Sequence, residues 1–240
     1  MSEAKRFFID QIAEEVLLEG EEFLHAKNVL RIGEGDEIVL LDNSGKEYSA
    51  IVSKVEKRSM TAHVIGEREG DKEAPVPVKV IFGYLKNADK NEFVVQKCTE
   101  LGVKEIVVFS SKYSSAYMNE NKLERLNKVA RESAKQCMRS VAPAVTYCDN
   151  LLSALRAADG YQNKLFACEF LEQSDFSLKA LSGATAIVVG SEGGFSQEEF
   201  LLSKELGFVG VSLGKRILRA ETAAVALCAV VSYEVGNLER

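Results

Sequence analysis

Apolar and polar positions follow two different periods along the chain. In the first third, three stretches alternate apolar with polar residues, at 37–41, 48–55 and 60–65. Alternation of this kind predicts half-buried β-strands, and the DNSG sequence between the first two stretches is typical of a hairpin turn. A short helix is predicted near residues 20–30, and an acidic, proline-containing linker at 67–77. These elements predict a small β-barrel domain over residues 1–75.

From residue 78 onward, short apolar runs alternate with longer segments of helical period. The runs predict strands at 78–85, 105–110, 165–169, 186–190 and 209–213. The longer segments predict helices at 89–101, 120–141, 196–206 and 221–235. Gly102 is placed to end the first of these helices, and Ser196 with Glu199 has the spacing of a capping box at the start of the third. The alternation predicts an α/β domain over residues 76–240, with a parallel sheet covered by helices on both faces.

Composition removes several classes of function. No apolar run approaches the roughly 20 residues that a membrane span needs, and the first residues lack the apolar centre of a signal peptide, so we expect a cytoplasmic protein without a membrane partner. The five cysteines form no C-x-x-C pair, and only His25 and His63 could assist them. A disulfide framework, a metal site and a Cys–His enzyme are therefore not expected.

Charge is unevenly distributed. The whole chain carries 30 Lys+Arg and 36 Asp+Glu, a net charge of −6, which at first argues against a nucleic-acid partner. Residues 1–75, however, carry 10 Lys+Arg and 17 Asp+Glu, whereas residues 76–240 carry 20 and 19. Within the second region, residues 112–139 hold seven cations and three acids. A basic helix face is usually only solvated, but this one leaves RNA open as a partner.

Three predicted strand ends carry unusual residues, and ligands of open α/β sheets bind beyond such ends. The sequence GSEGGF at 190–195 is either a tight turn or a loop whose backbone holds an adenosine-type ligand, since it lacks the lysine of a P-loop and the G-x-G-x-x-G spacing. The second end, 213–222, places Ile217 and Leu218 within a charged run, which indicates a partly packed loop. Glu169 at the third end is either a cap or a ligand contact.

Together these motifs resemble the ribosomal RNA small-subunit methyltransferase E family of the SPOUT class. The resemblance rests first on VVGSEGGFSQEE at 188–199 and LGKRILRAETAA at 213–224. KRFFID, HAKNVLRIGEGDEIVLLDNSG, QKCTELGV and AKQCMR have counterparts in the family in the same order. Ser191 departs from the pattern, because the commoner family form has proline there.

The resemblance implies a fold and an activity. The fold is a PUA-like, RNA-binding β-barrel at residues 1–75, followed at 76–240 by a SPOUT-type parallel sheet whose C-terminus forms a trefoil knot. The activity is transfer of a methyl group from S-adenosylmethionine to N3 of a specific uridine near the 3′ end of 16S rRNA. The expected partners are 16S rRNA or the 30S subunit and a second copy of the chain in a homodimer.

The family motifs also imply site residues. Those expected to bind the cofactor are Glu169, Gly190, Glu192, Gly193, Gly194, Leu213, Gly214, Ile217 and Leu218. Those expected to contact RNA are Arg6, Arg31, Lys128, Arg131, Lys135 and Arg216.

Methylation of uracil N3 needs removal of its proton and stabilisation of the resulting charge. Glu221 or Glu192 is the expected proton acceptor, and Arg219, Arg216 or Arg139 the expected cation. Glu221 is equally well explained as a carboxylate that stabilises a helix N-terminus. The principal catalytic residues are predicted to be Arg219, Glu221 and Arg139.

Three other functions remain open at this point. A SPOUT methyltransferase with another RNA target would share the C-terminal motifs but not the N-terminal ones. A non-catalytic RNA-binding ribosome-assembly factor would keep the barrel and the basic helix, although the intact GSEGG and RILRAET segments argue against it. The third function is that of a Rossmann-type nucleotide enzyme, but this chain lacks the glycine fingerprint of that class.

Overall fold

The computed structural model describes residues 5–112, 117–171 and 177–239. The chain divides into two compact units, one formed by Met1–Glu73 and Ala134–Ala142, the other by Ala74–Ser133 and Pro143–Arg240. The predicted boundary after residue 75 lies close to the first of these divisions. The sequence did not indicate that residues 134–142 return to the first unit.

The first unit is built on a five-stranded sheet. Its strands are β1 Lys5–Phe8, β2 Glu15–Leu18, β3 Glu37–Leu41, β4 Lys46–Val55 and β5 Met60–Glu69, in the order β1-β3-β4-β5-β2. Strands β1 and β3 are parallel, and the other pairs are antiparallel. The three predicted strands are confirmed, but β5 continues to Glu69, so the predicted linker begins too early. The predicted helix is also confirmed, as α1 Gly20–Leu24 followed by a π-helical turn at His25–Val29.

The second unit alternates strands with helices, as predicted. Its strands are β6 Val78–Gly83, β7 Glu105–Phe109, β8 Ala144–Cys148, β9 Asn163–Ala167, β10 Thr185–Val189 and β11 Val209–Val211. The helices between and after them are α2 Ala88–Glu100, α3 Glu120–Gln136, α4 Leu151–Arg156, α5 Gln197–Glu205 and α6 Ala220–Glu234, with a 3₁₀ turn at Leu178–Ala180. Helix α3 ends before the predicted residue 141, and Met138 just beyond it has a φ of 67°. Strand β8 and helix α4 were not predicted.

The sheet of the second unit is wholly parallel, in the order β11-β9-β10-β6-β7-β8. Alternate residues of its strands face opposite sides. Val80 packs in a core with residues of α2, α3 and α6, whereas its neighbour Ile81 packs in a core with residues of α4 and α5. Helices therefore cover both faces, as the sequence predicts. None of the helices in the described ranges is long and apolar enough to cross a membrane.

The strand order determines where a ligand site can form. Strand β9 lies between β10 and β11, with Phe166 level with Val188 on one side and Gly210 on the other. All three strands run in the same direction, so their carboxyl ends meet at one edge. The three motifs identified in the sequence therefore lie side by side.

Candidate cofactor and catalytic site

A cavity of about 330 Å³ opens at the carboxyl ends of β9, β10 and β11. It is lined by Ala167–Glu169, by the loop after β10, by the loop after β11 with the start of α6, and by Lys90 of α2. Every residue predicted to bind the cofactor lines this cavity except Gly193. Arg216, Arg219 and Glu221 line it as well, so the structure brings most of the predicted site into one place.

The loop after β10 needs its glycines. Gly194 has a φ of 63°, and its N–H donates to the Ser191 carbonyl across 3.0 Å. A Cβ on Gly194 would collide with the carboxylate of Glu169, because that side chain lies directly against the glycine. Glu169 therefore lies directly against the glycine loop at the cavity, and its contact with the cofactor stays a prediction.

Both ends of this loop are held in place. At its start, the Ser191 backbone packs so tightly on the end of β6 that a Cβ added to Gly83 would lie 2.6 Å from the Ser191 nitrogen. At its end, the predicted capping box is confirmed: the Ser196 hydroxyl accepts from the Glu199 N–H at 3.2 Å, and the Glu199 carboxylate accepts from the Ser196 N–H at 2.8 Å. The backbone of this loop is therefore held in place at both ends.

The loop after β11 is partly packed, as its sequence predicts. Leu218 is half-buried, whereas Ile217 is 86% exposed, so Leu218 is the one of the two apolar residues that packs against the fold. Gly214, which lines the cavity, has a φ of 97°, a conformation that favours glycine. Arg216 and Arg219 are exposed, and their guanidinium groups are accessible to an anionic ligand.

Glu221 lies in the first turn of α6 and forms an ion pair with Lys90. The Lys90 Nζ is 2.9 Å from Glu221 Oε1. Burial alone would raise the pKa of Glu221, but the hydrogen bond and charge of Lys90, a backbone N–H and the charge of Arg219 outweigh it and hold the pKa below its ordinary value. Glu221 is therefore ionised at neutral pH.

Glu192 is occupied by the backbone. Its Oε1 accepts from the N–H of Lys86 at 3.0 Å, in the loop that follows β6. The same loop is tied to α2 by the buried Asn91, whose amide bonds both the N–H and the carbonyl of Leu85.

Sequence reasoning missed Lys90 and this loop. Lys90 looked like an ordinary solvated lysine at the start of a helix, and only the return of α6 to α2 brings it to the cavity.

Several predicted residues lie elsewhere. Arg139 does not line the cavity; it is buried in the first unit, where its guanidinium binds Glu73. Arg6 and Lys135, predicted to contact RNA, are also buried in that unit and bind Glu47 and Glu22 respectively. Arg6, Lys135 and Arg139 are thus buried in ion pairs of the first unit, which does not favour the RNA contacts predicted for the first two or the catalytic role predicted for the third.

The other cations predicted to contact RNA remain at the surface. Arg31, with a φ of 56°, Lys128 and Arg131 are exposed. Within the described ranges, no group of three or more His, Cys, Asp or Glu side chains is arranged to hold a metal ion.

Comparison with known proteins agrees with this geometry. The RNA methyltransferase domain family matches residues 72–232, and the RNA methyltransferase PUA domain family matches residues 18–65. The ribosomal RNA small subunit methyltransferase E of Bacillus subtilis is 30% identical over 248 residues, covering 96% of each chain. That of Mesomycoplasma hyopneumoniae is 31% identical over 225 residues, covering 92% of this chain and 96% of the relative.

Two solved structures have the same fold over nearly their full length. The ribosomal RNA small subunit methyltransferase E of Neisseria gonorrhoeae, bound to S-adenosyl methionine, superposes with a TM-score of 0.84 at 27% identity, covering 97% of this chain and 98% of that one. A methyltransferase of Legionella pneumophila, in complex with the same cofactor, superposes with a TM-score of 0.86 at 25% identity, covering 96% and 97%. The present chain belongs to the ribosomal RNA small subunit methyltransferase E family.

Proposed function

We propose that this chain transfers the methyl group of S-adenosylmethionine to N3 of a uridine near the 3′ end of 16S rRNA, in the small ribosomal subunit. The observation that carries the proposal is the convergence of the glycine loop, Glu169 and the Arg219–Glu221 segment on one cavity. The backbone of the glycine loop can bind a nucleoside-type cofactor. The opposite charges of Arg219 and Glu221 can assist methylation of an N–H group.

The residues of the cavity fit this cofactor. S-Adenosylmethionine combines an adenosine with an ammonium and a carboxylate, and supplies an electrophilic methyl group on a sulfonium. The open backbone of Gly190 and Gly194 suits close approach of the adenosine. Carboxylates of Glu169 and Glu192 suit hydroxyl and ammonium donors. Leu213 and Leu218 offer apolar surface for the base.

The proposed reaction uses two residues of the loop into α6. Glu221 accepts the N3 proton of the uracil, since one of its oxygens, Oε2, has no hydrogen-bond partner among the residues described. Arg219 stabilises the negative charge that develops on the uracil oxygens, because a guanidinium offers fixed donors and stays protonated. Glu192 is less suited to take the proton, as Oε1 already accepts from Lys86. Arg216 is the second choice for the stabilising cation, whereas Arg139 is buried and paired with Glu73 outside the cavity lining.

The proposed partners follow from the same function. A ribosomal RNA substrate supports the proposal that the protein acts in the cytoplasm. A homodimer is supported by helix α6 and the residues after it, where Val230, Tyr233 and Leu238 are exposed apolar side chains. Sedimentation equilibrium tests this association: Tyr233→Glu should shift the chain toward the monomer, and an unchanged dimer would place the interface elsewhere.

A C-terminal trefoil knot is likewise part of the proposal.

A methyl-transfer assay tests the function directly. The purified chain is incubated with labelled S-adenosylmethionine and 30S subunits, free 16S rRNA or tRNA, and the modified nucleoside is identified by mass spectrometry. We expect N3-methyluridine in 16S rRNA and a loss of about 10²-fold in kcat for Arg219→Ala. Arg156→Ala is the matched control, because Arg156 is an exposed arginine of α4 that does not line the cavity.

Other outcomes would favour the alternatives. Label found only in tRNA would indicate a methyltransferase with another RNA target. Absence of both label and cofactor binding, with retained affinity for 30S subunits, would indicate a non-catalytic assembly factor.

A further inference from the structure

Lys90 is the residue that α2 contributes to the cavity lining in the described part of the chain. Its side chain is 26% exposed and that of its partner Glu221 is 14% exposed, so water only partly screens their ion pair. By contrast, Lys97, two turns further along α2, pairs with Glu100 of the same helix and does not line the cavity. The Lys90 pair instead joins two helices at the site.

The turn that carries Lys90 is held firmly. Asn87 caps α2 by accepting from the N–H of Asp89 at 2.9 Å. Asn91, which is 1% exposed, donates to the carbonyls of Leu85 and Asn87, each at 2.9 Å. Because the backbone of this turn is fixed, only the Lys90 side chain loses conformational freedom when it pairs with Glu221.

The two oxygens of Glu221 have different surroundings. Oε1 receives Lys90, whereas Oε2 is buried without a hydrogen-bond partner among the described residues. A buried carboxylate oxygen without a donor costs free energy until a donor reaches it. The other charged groups that line the cavity are Glu169, Glu192, Lys215, Arg216 and Arg219.

We propose that Lys90 is a positioning residue for methyl transfer: it holds Oε1 of Glu221 and so presents Oε2 to the N3–H of the uracil. This inference rests on the proposed function. The N3 proton passes to Oε2 and from there to water. As the bond from N3 to the methyl carbon forms, the carbon–sulfur bond breaks and its electron pair stays on sulfur.

The role of Lys90 has a consequence for pH dependence. Because Lys90 helps to hold the pKa of Glu221 below its ordinary value, removing the ammonium raises that pKa. Glu221 must be ionised to accept a proton. Loss of Lys90 should therefore move the acid side of the activity profile to higher pH, while the alkaline side stays in place.

The experiment compares Lys90→Met, which keeps an unbranched apolar stem, with Lys90→Arg and with Lys97→Met as the matched control. Between about pH 7.5 and about pH 5, kcat/KM of Lys90→Met should fall at least about threefold more than that of the wild type, with Lys90→Arg restoring much of the difference. Nuclear magnetic resonance of the ligand-free chain should show a raised pKa of the Glu221 carboxyl in Lys90→Met alone. Calorimetry should find the cofactor Kd changed by less than about twofold.

Two results would overturn the inference. An active Lys90→Met variant with an unshifted acid side would mean that Lys90 does not act through Glu221. A raised KM for RNA with a weaker salt dependence and no change in pH profile would make Lys90 a phosphate contact instead. A wild-type chain inactive on every RNA would refute the proposed function, and the Glu221 titration would still report on the pair.

Discussion

Single residues decide how tightly this site is built, and Gly194 is the clearest case. Its positive φ can be adopted by other residues only at a cost, and its missing side chain leaves the room that the Glu169 carboxylate occupies. Both the backbone conformation and the lack of space for a side chain therefore require glycine at position 194. A turn by itself would require only the backbone conformation.

Replacement of this glycine separates the two effects. Gly194→Ala should raise the cofactor Kd by at least about tenfold, because Glu169 has to move away. Gly207→Ala is the control, because Gly207 has a φ of 82° and open space where a Cβ would lie. This variant should lose about 1 kcal/mol of stability, with unchanged cofactor binding. Calorimetry and thermal unfolding measure both. Equal cofactor affinity in the two variants would contradict a collision with Glu169.

At the residue scale, sequence reasoning identified the three strand ends that form most of the cavity lining. Motifs that follow parallel strands are brought together by the topology, so their side chains could be assigned to one site from the order of strands and helices alone. Lys90 and Arg6 show the limit. The neighbours of these two cations along the chain do not reveal their partners, and only tertiary contacts distinguish the one at the cavity from the one buried against Glu47.

Helix α2 and strand β3 match their predicted bounds within one residue. Length alone did not decide the accuracy, because the ten-residue strand β5 continues four residues past its predicted end at residue 65. Strands β1 and β2 have only four residues each, too few to establish a period, and α4 has six. Helix α3 was extended too far, because AKQCMR continues its apolar period although the backbone leaves the helix at Gln136.

Helix α3 also presents cations in two different environments. Lys128 and Arg131 are exposed, whereas Lys135 is 8% exposed and binds Glu22 at 3.1 Å. Lys128→Ala and Arg131→Ala should each reduce the salt dependence of RNA binding by about one phosphate contact without changing cofactor affinity. Lys135→Ala should instead lower the unfolding temperature.

Filter binding at several salt concentrations and a thermal melt distinguish these effects. A normal salt dependence in both surface variants would remove α3 from the RNA interface. An unchanged melting temperature in Lys135→Ala would mean that its buried pair contributes little to stability.

At the scale of the whole molecule, a buried charge cluster links stability to pH. Glu47 is 3% exposed and binds Arg6, Arg68 and Ser140. Burial would raise its pKa, but the hydrogen bonds and charges of these partners lower it to about 2. Its contribution, about 3 kcal/mol, is therefore present above the unfolded-state pKa and disappears as pH falls from there through the folded-state value.

Glu47→Gln should consequently destabilise the chain at neutral pH by about 3–5 kcal/mol, since it leaves Arg6 buried without an anion. It should also flatten the acid side of the stability curve. Glu67→Gln is the control, because Glu67 forms an exposed pair with Lys46 and should change stability by less than about 1 kcal/mol. Urea unfolding at a series of pH values measures both, and parallel curves for wild type and Glu47→Gln would contradict this account.

The return of residues 134–142 to the first unit limits how the protein can be dissected. A fragment cut near residue 75 would keep Glu47 and Glu73 but lose Ser140 and Arg139, which bind them. The excised β-domain would leave Glu73 without its cation, whereas Glu47 would lose the Ser140 hydroxyl but keep Arg6 and Arg68. Any transfer of this domain to another protein would have to include residues 134–142, which lie between two segments of the second unit. The first unit is compact in its contacts but not continuous in sequence.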